Sequence, residues 1–215
     1  MGTANGEVRP GLPRRIDGLC KRERILWSMV RLVAENGFES VAVADVVDRA
    51  GVSRTTFYEL FESKDECLCA AYDRVIDVLV AYVSRAYEGD GPWPLKSRRA
   101  LRACLEAYSV EPEVARMATV EVPAAGPEAQ RRYHDGVGQF RPLFSEGRKY
   151  AESDILPPDL ELMAVGGAEA IIFDEVVAGR TKELPTLLPD ILFAVLVPYV
   201  GPEAAKAEVR RTAEP

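Results

Sequence analysis

Apolar residues recur with a helical period along almost the whole chain, and stretches with the alternation of a strand are scarce. Ile25, Met29, Leu32 and Val33 stand at i, i+4, i+7 and i+8, which predicts one buried helix face from about Lys21 to Glu35. Asn36-Gly37 closes that helix, because glycine takes a left-handed cap conformation and Phe38 can fold back as its apolar partner. Val43, Val46, Val47 and Ala50 predict a second, very short amphipathic helix that stops at Gly51. Ser53 is a good N-cap for a third, whose apolar side is Phe57, Leu60 and Phe61. Ser63-Lys64-Asp65-Glu66 fits a capping box, so a fourth helix starts there and runs to about Tyr87, before the breaker Gly89-Asp90-Gly91-Pro92.

Beyond Pro94 the pattern predicts further helices at roughly Leu95–Ser109, Pro112 to before Pro123, Pro127–Ala151, Pro158–Ala178 and Leu184–Tyr199. The expected fold is therefore all-α, with about nine helices. A three-helix DNA-binding domain with a helix-turn-helix precedes a larger helical ligand-binding and dimerisation domain. The boundaries read as a flexible basic arm over 1–18, the helix-turn-helix domain over 19–66, the helical body over 67–200 and a C-terminal tail over 201–215.

Three short helices before a long one, with a glycine turn between the second and third, is helix-turn-helix organisation. The literal residues are more specific. Asn36-Gly37-Phe38-Glu39-Ser40, followed by Ala50-Gly51-Val52-Ser53 and on through Tyr58, Phe61 and Ser63-Lys64-Asp65-Glu66, closely resembles the DNA-binding domain of the TetR family of repressors. The resemblance covers about Lys21–Glu66, and the rest of the chain matches the family in length and helical organisation. It implies that residues at Ser53, Arg54, Thr55, Thr56 and Tyr58 touch bases and phosphates, and that Lys64 touches a phosphate. Physical reasons stand beside it. A short third helix fits a major groove with its N-terminal residues facing base edges. A lysine beside helix N-terminal N–H groups suits a phosphate, and Arg14, Arg15, Lys21, Arg22 and Arg24 can track the backbone or enter the minor groove. Ser53 also caps its helix, while Phe57 and Phe61 are core positions. Three departures stand out. Ala42 replaces a capping threonine, so Ser40 or solvent must take over. Ala44 replaces a basic or polar residue, and Glu59-Leu60 replace positions that are often polar or basic.

The formal net charge of −7 at first argues against nucleic acid, but its distribution does not. Arg9 to Arg31 holds seven basic residues against Asp17 and Glu23, whereas Tyr150 to Pro215 holds five basic against twelve acidic. No run of about 18 uncharged apolar residues occurs, the nearest being Ile191 to Val200, and Met1–Pro13 lacks an apolar stretch. The expected location is cytoplasmic, in association with the chromosome, with no membrane partner. Cys20, Cys67, Cys69 and Cys104 have neither a disulfide framework nor zinc spacing, and His134 is the only histidine. No metal or cofactor is expected. A nucleotide loop, a metal cluster and a Ser/His/Asp arrangement are all missing, so no catalytic residue is assigned.

In the body, Tyr133, Val137, Phe140 and Phe144 recur along one helix face as a candidate ligand wall. Tyr72, Leu105, Tyr108, Met117 and Phe173 are its candidate neighbours. Glu121 and His134 are the polar candidates, with His134 placed beside the stripe. On the apolar eighth helix, which carries Leu162, small residues such as Gly166 and Ala170 permit close helix approach, and the ninth (Leu188, Ile191, Val195) is apolar around most of its circumference. A partner copy covering both gives a four-helix dimer interface, which is also what the resemblance implies. The functional expectation is a homodimer on a palindromic double-stranded DNA operator, released by a small, largely apolar effector. A DNA-binding protein without a small-molecule ligand, which organises chromosomes or bridges to protein partners, remains the alternative.

Overall fold

The computed structural model describes residues 18–151 and 156–212, and among them there is no strand. Helix α1 (Lys21–Asn36) buries Ile25, Met29, Leu32 and Val33 as their spacing requires, together with Leu26, Trp27 and Val30. It ends where the Gly37 N–H, at φ +77°, donates to the Val33 carbonyl (2.9 Å). A 3-10 turn (Phe38–Ser40) leads to α2 (Val43–Ala50). The first departure from sequence expectation is here: Ser40 does not cap α2. The Asp45 carboxylate instead accepts from the Ala42 backbone N–H (2.8 Å), which supplies half of a capping box. Gly51, at φ +62° and ψ +43°, makes the left-handed turn into α3 (Arg54–Leu60). Ser53 caps α3 by accepting from the Thr56 N–H (3.0 Å). The Ser63 hydroxyl caps α4 (Lys64–Tyr87) by accepting from the Glu66 N–H (3.1 Å).

The body begins with α5 (Trp93–Val110). The predicted sixth helix is a bent rod: α6 (Pro112–Arg116) passes through a π turn (Met117–Glu121) into α7 (Val122–Ala124). The predicted seventh helix is broken. α8 (Pro127–Gly138) stops, and α9 (Pro142–Ser145) and a 3-10 turn (Glu146–Tyr150) follow. Pro142 has no N–H to continue the ladder, and the bonds across the break shorten to the 3-10 type, with Arg141 N–H donating to the Gly138 carbonyl (3.2 Å). α10 (Leu160–Val177) begins two residues after Pro158, and a 3-10 turn (Thr181–Leu187) precedes α11 (Leu188–Arg210).

The expected tail from residue 201 is not a tail. α11 kinks at Gly201 (φ +75°) and continues to Arg210, with Ala205 and Glu208 buried. Arg98 of α5 pairs with Glu208 (2.9 Å) and holds this last segment against α5, while Arg211 pairs with Glu208 within the segment (2.7 Å). By length and composition Thr181–Arg210 would also pass for a membrane span, unlike the shorter run read from the sequence. Within it Leu184, Leu188, Leu192, Leu196 and Tyr199 are buried among the other helices.

Two apolar cores share α4. The first joins α1–α3 to Cys67–Ile76 and reaches Met117, Ala118, Val122 and Ala129 of the body. The second joins Leu79 and Val83 to α5, α10 and α11. The head therefore does not end structurally at Glu66. The first half of α4 belongs to its core, so a movement of α4 is felt by α1–α3.

Candidate nucleic-acid interface and effector cavity

The third helix presents its N-terminal end to solvent. Phe57 is fully buried, stacked edge-on to Tyr58 (5.3 Å between centroids) and tilted against Phe61 (5.6 Å), so the exposed side chains are held by the core beneath them. Arg54 and Thr55 are exposed and Tyr58 is 47% exposed. The Arg54 guanidinium lies over the Tyr58 ring (5.6 Å), a cation–π contact that restricts the arginine before any DNA is met. Thr56 is partly buried and shares its hydroxyl with Ser53 (3.1 Å), tying both to the cap. Glu59 and Leu60 are exposed on the same helix.

Around this helix, Lys21 and Arg22 are exposed, and Arg22 stacks over Phe61 (5.4 Å). Arg24 donates to the Gly51 carbonyl (3.4 Å), bracing the turn between α2 and α3. Lys64, at the start of α4 and partly buried, donates to the Phe38 carbonyl (3.0 Å) and stands over the Phe38 ring (4.1 Å). Arg14 and Arg15 lie outside the described residues. One acid that the sequence offered as a ligand contact belongs here. Glu121, from the π turn, pairs with Arg116 (3.0 Å) and accepts from the Phe38 N–H (3.4 Å), so it links body to head. His134 is exposed and hydrogen-bonded to the Gln130 carbonyl (2.8 Å).

The body holds a cavity of about 60 Å³ between α4, α5, α8–α10 and α11. Tyr72, Leu105, Tyr108, Tyr133, Val137, Phe140 and Phe144 all line it. The helix break changes the reason they meet. Phe144 reaches the wall from α9 after the chain has turned, and not from one continuous face. Met117 and Phe173 do not line it: Met117 is fully buried in the first core, and Phe173 is 40% exposed on the outer side of α10. Sequence reading missed Glu169, the one charged side-chain type in an otherwise apolar and tyrosine-bearing wall. Its position four residues after Val165 and three before Ile172 was the available signal, since an acid on the buried stripe of an apolar helix needs a reason. Burial pushes its carboxyl above the usual carboxylate range, and the Tyr133 hydroxyl, donating to Oε1 (3.0 Å), offsets part of that.

On α10, Leu162, Gly166 and Ala170 are exposed, together with Met163, Ile171 and Val177. The α11 residues differ from expectation. Leu188, Ile191 and Val195 are each under 5% exposed and buried in the protomer's own core. Between Ile191 and Tyr199 the outward positions of α11 are Ala194 and Pro198, with Phe193 and Val197 half-buried. Ile191 and Val195 only floor a groove of about 290 Å³ between α10 and α11. Burial also pushes the Cys67 and Cys104 thiols up to about 12, which keeps them protonated. Among the described residues no cluster of three His, Cys, Asp or Glu side chains is placed to hold a metal.

An exposed, capped third helix on a rigid aromatic base, joined through α4 to an all-helical body, defines a helix-turn-helix protein. Residues 25–71 match the family described as bacterial regulatory proteins, tetR family, which assigns this segment to the TetR-family helix-turn-helix domain. Among curated relatives, the HTH-type transcriptional activator FasR of Mycolicibacterium smegmatis is 34% identical over 107 residues, 48% of this chain and 47% of that protein. The uncharacterized HTH-type transcriptional regulator YvdT of Bacillus subtilis is 27% identical over 79 residues, 37% and 40% of the two chains. The chain thus spans half or less of the curated relatives it matches. Among solved structures, the fatty acid degradation regulator FadR of Bacillus halodurans superposes with a TM-score of 0.74 at 16% identity, over 82% of this chain and 95% of that one. FadR of Bacillus subtilis, solved in complex with stearoyl-CoA, gives 0.71 at 16% identity, over 80% and 96%. At such identities these two show the fold.

Proposed function

We propose that this protein is a cytoplasmic, ligand-released repressor that binds a palindromic operator as a homodimer. The observation that carries the DNA-binding part is the exposed N-terminal end of α3. Arg54, Thr55 and Tyr58 face outward there, with Lys21, Arg22 and Lys64 around them to meet phosphates. Dimerisation is supported by α10, whose Leu162, Met163, Gly166, Ala170 and Ile171 form an exposed apolar strip, continued by Ala194 and Pro198 of α11. A two-fold copy laid on that strip pairs like with like and closes the assembly. Ligand release is supported by the cavity and by the neighbouring FadR fold solved with stearoyl-CoA, since walls such as Leu105, Val137 and Phe140 suit an apolar body.

Release follows from geometry. The two recognition helices of a dimer must match half-sites of fixed spacing, so a ligand that shifts α4 weakens every contact at once. α4 carries Tyr72 and Ile76 in the cavity wall and Cys67 and Leu68 in the head's core, which makes it the element both sites share. Selection from a randomised duplex library tests the proposal: an inverted repeat should emerge, and recovery of unrelated sequences would refute it.

The small volume of the cavity favours a second reading, a DNA-binding regulator with no small-molecule ligand. Thermal shift against a panel of apolar compounds separates the two. A raised melt supports release by ligand, and a flat panel supports the second reading.

A further inference from the structure

The cavity is not uniformly apolar: Glu169, Cys104, Tyr72, Tyr108 and Tyr133 bring polar groups to its wall. The Tyr133 hydroxyl spends its proton on Glu169 Oε1 (3.0 Å), and the Tyr72 hydroxyl spends its proton on the Tyr133 backbone carbonyl (3.2 Å). With those donors committed, the second carboxyl oxygen of Glu169 and the lone pairs of both hydroxyls remain, beside the Tyr108 hydroxyl and the weakly donating Cys104 thiol. The wall therefore offers more acceptors than donors. Among the described residues no lysine, arginine or histidine lines it, so none of them balances a negative charge on Glu169 or on a ligand there. The rings of Tyr72, Tyr108, Tyr133 and Phe140 stand around the same space, and their faces attract a cation.

From this arrangement we propose that Glu169 is the specificity-determining residue of the cavity, and that it selects an apolar ligand carrying a protonated amine. The inference rests on the reading of the cavity as an effector site and adds the chemistry of the ligand's head. An ammonium supplies three N–H donors to the acceptors on the wall and the positive charge that a desolvated carboxyl lacks. A carboxylate head meets Glu169 as a like charge without a cation between them. An alcohol satisfies a hydrogen bond but leaves the charge uncompensated. The raised affinity of this carboxyl for a proton agrees with this, because a proton takes the place that the ligand's cation would fill. At about 60 Å³ the cavity must widen to admit an alkyl body, and the break between α8 and α9 places the half-buried Phe140 and Leu143 in its wall.

The test uses the full chain and three probes with one alkyl length: octylamine, 1-octanol and octanoate, compared by calorimetry and thermal shift at neutral pH. Octylamine should bind wild type about tenfold more tightly than octanol, with octanoate weakest. Glu169→Gln should bring octylamine to within about threefold of octanol while octanol affinity holds. Should that variant fold poorly, Glu169→Met, close in volume and without charge, gives the same comparison. Octanol or octanoate binding wild type as tightly as octylamine, or an amine preference that survives at Glu169→Gln, would overturn the proposal while leaving the effector site intact. If none of the three binds, the effector-site reading falls and the proposal with it.

Discussion

Truncating Phe57 and Phe140 to alanine separates a packed core from a cavity wall. Phe57 is fully buried, with two aromatic rings within 6 Å of its own and the head's core around it. Its removal leaves a void that flanking rings cannot collapse into, because Tyr58 and Phe61 are fixed by the short α3 and the start of α4. The expected cost is about 3–5 kcal/mol, which for a chain of this size lowers the melting temperature by roughly 6–20 °C. Phe140 is half-buried and faces free space on one side, so part of its ring has no protein contact to lose. Its truncation should cost about 1–2 kcal/mol, or roughly 2–8 °C. The assay is thermal unfolding by circular dichroism, repeated with an apolar probe present. Phe140→Ala should enlarge the cavity and change the probe's stabilising effect, and Phe57→Ala should leave that effect unchanged. Equal losses of stability, with no change in probe response at Phe140→Ala, would show that the stripe is ordinary core.

Gly147→Ala should destabilise the body by about 1–3 kcal/mol in chemical denaturation, because a Cβ there would stand 2.6 Å from the Trp93 ring and 2.8 Å from that of Tyr199, both rigid. Met163→Glu, on the exposed strip, should yield folded monomers by light scattering, while Ile191→Glu should unfold the chain, since Ile191 is 2% exposed inside one protomer. Acid stability should depend on Glu161, whose carboxyl the Arg148 guanidinium holds below its ordinary value of 4.5 through bonds of 2.6 and 2.8 Å. A depressed carboxyl contributes its stability fully above that ordinary value and loses it as pH falls through the folded value. Arg148→Met should therefore lower the melt at neutral pH and flatten its fall below about pH 4.5.

The head was legible because each of its signals is local. Gly37, Gly51, Ser53 and Ser63 act on the few residues beside them, and the spacing of Ile25, Met29, Leu32 and Val33 needs only a helix to gain a buried face. The body was legible in class and less so in detail. Pro142 interrupts a helix that periodicity alone carries through, and the stripe from Tyr133 to Phe144 still reaches one cavity because the chain turns there. Leu188, Ile191 and Val195 looked outward only because α11 is apolar nearly all round. Which faces the same chain would cover depends on long-range packing against α5 and α10 that no local window contains. The end of α11 was read as a tail because Gly201-Pro202 breaks a helix, whereas the Arg98–Glu208 pair that holds it joins residues 110 positions apart. Glu169 went unread for a related reason: an isolated acid in a helix looks like a surface residue until the neighbours that bury it are known.

Fluorescence anisotropy of the library-selected duplex and a scrambled duplex of equal length, across a salt series, tests the central claim most directly. Wild type should prefer the selected duplex by a factor on the order of 10³ or more. Arg54→Ala should melt as wild type does and lose about 1–3 kcal/mol of that discrimination. Lys64→Ala should weaken both duplexes alike and reduce the salt slope by about one unit. A wild-type protein that binds the two duplexes equally at every salt concentration, with Arg54→Ala indistinguishable from it, would contradict the account of α3 as the element that reads DNA.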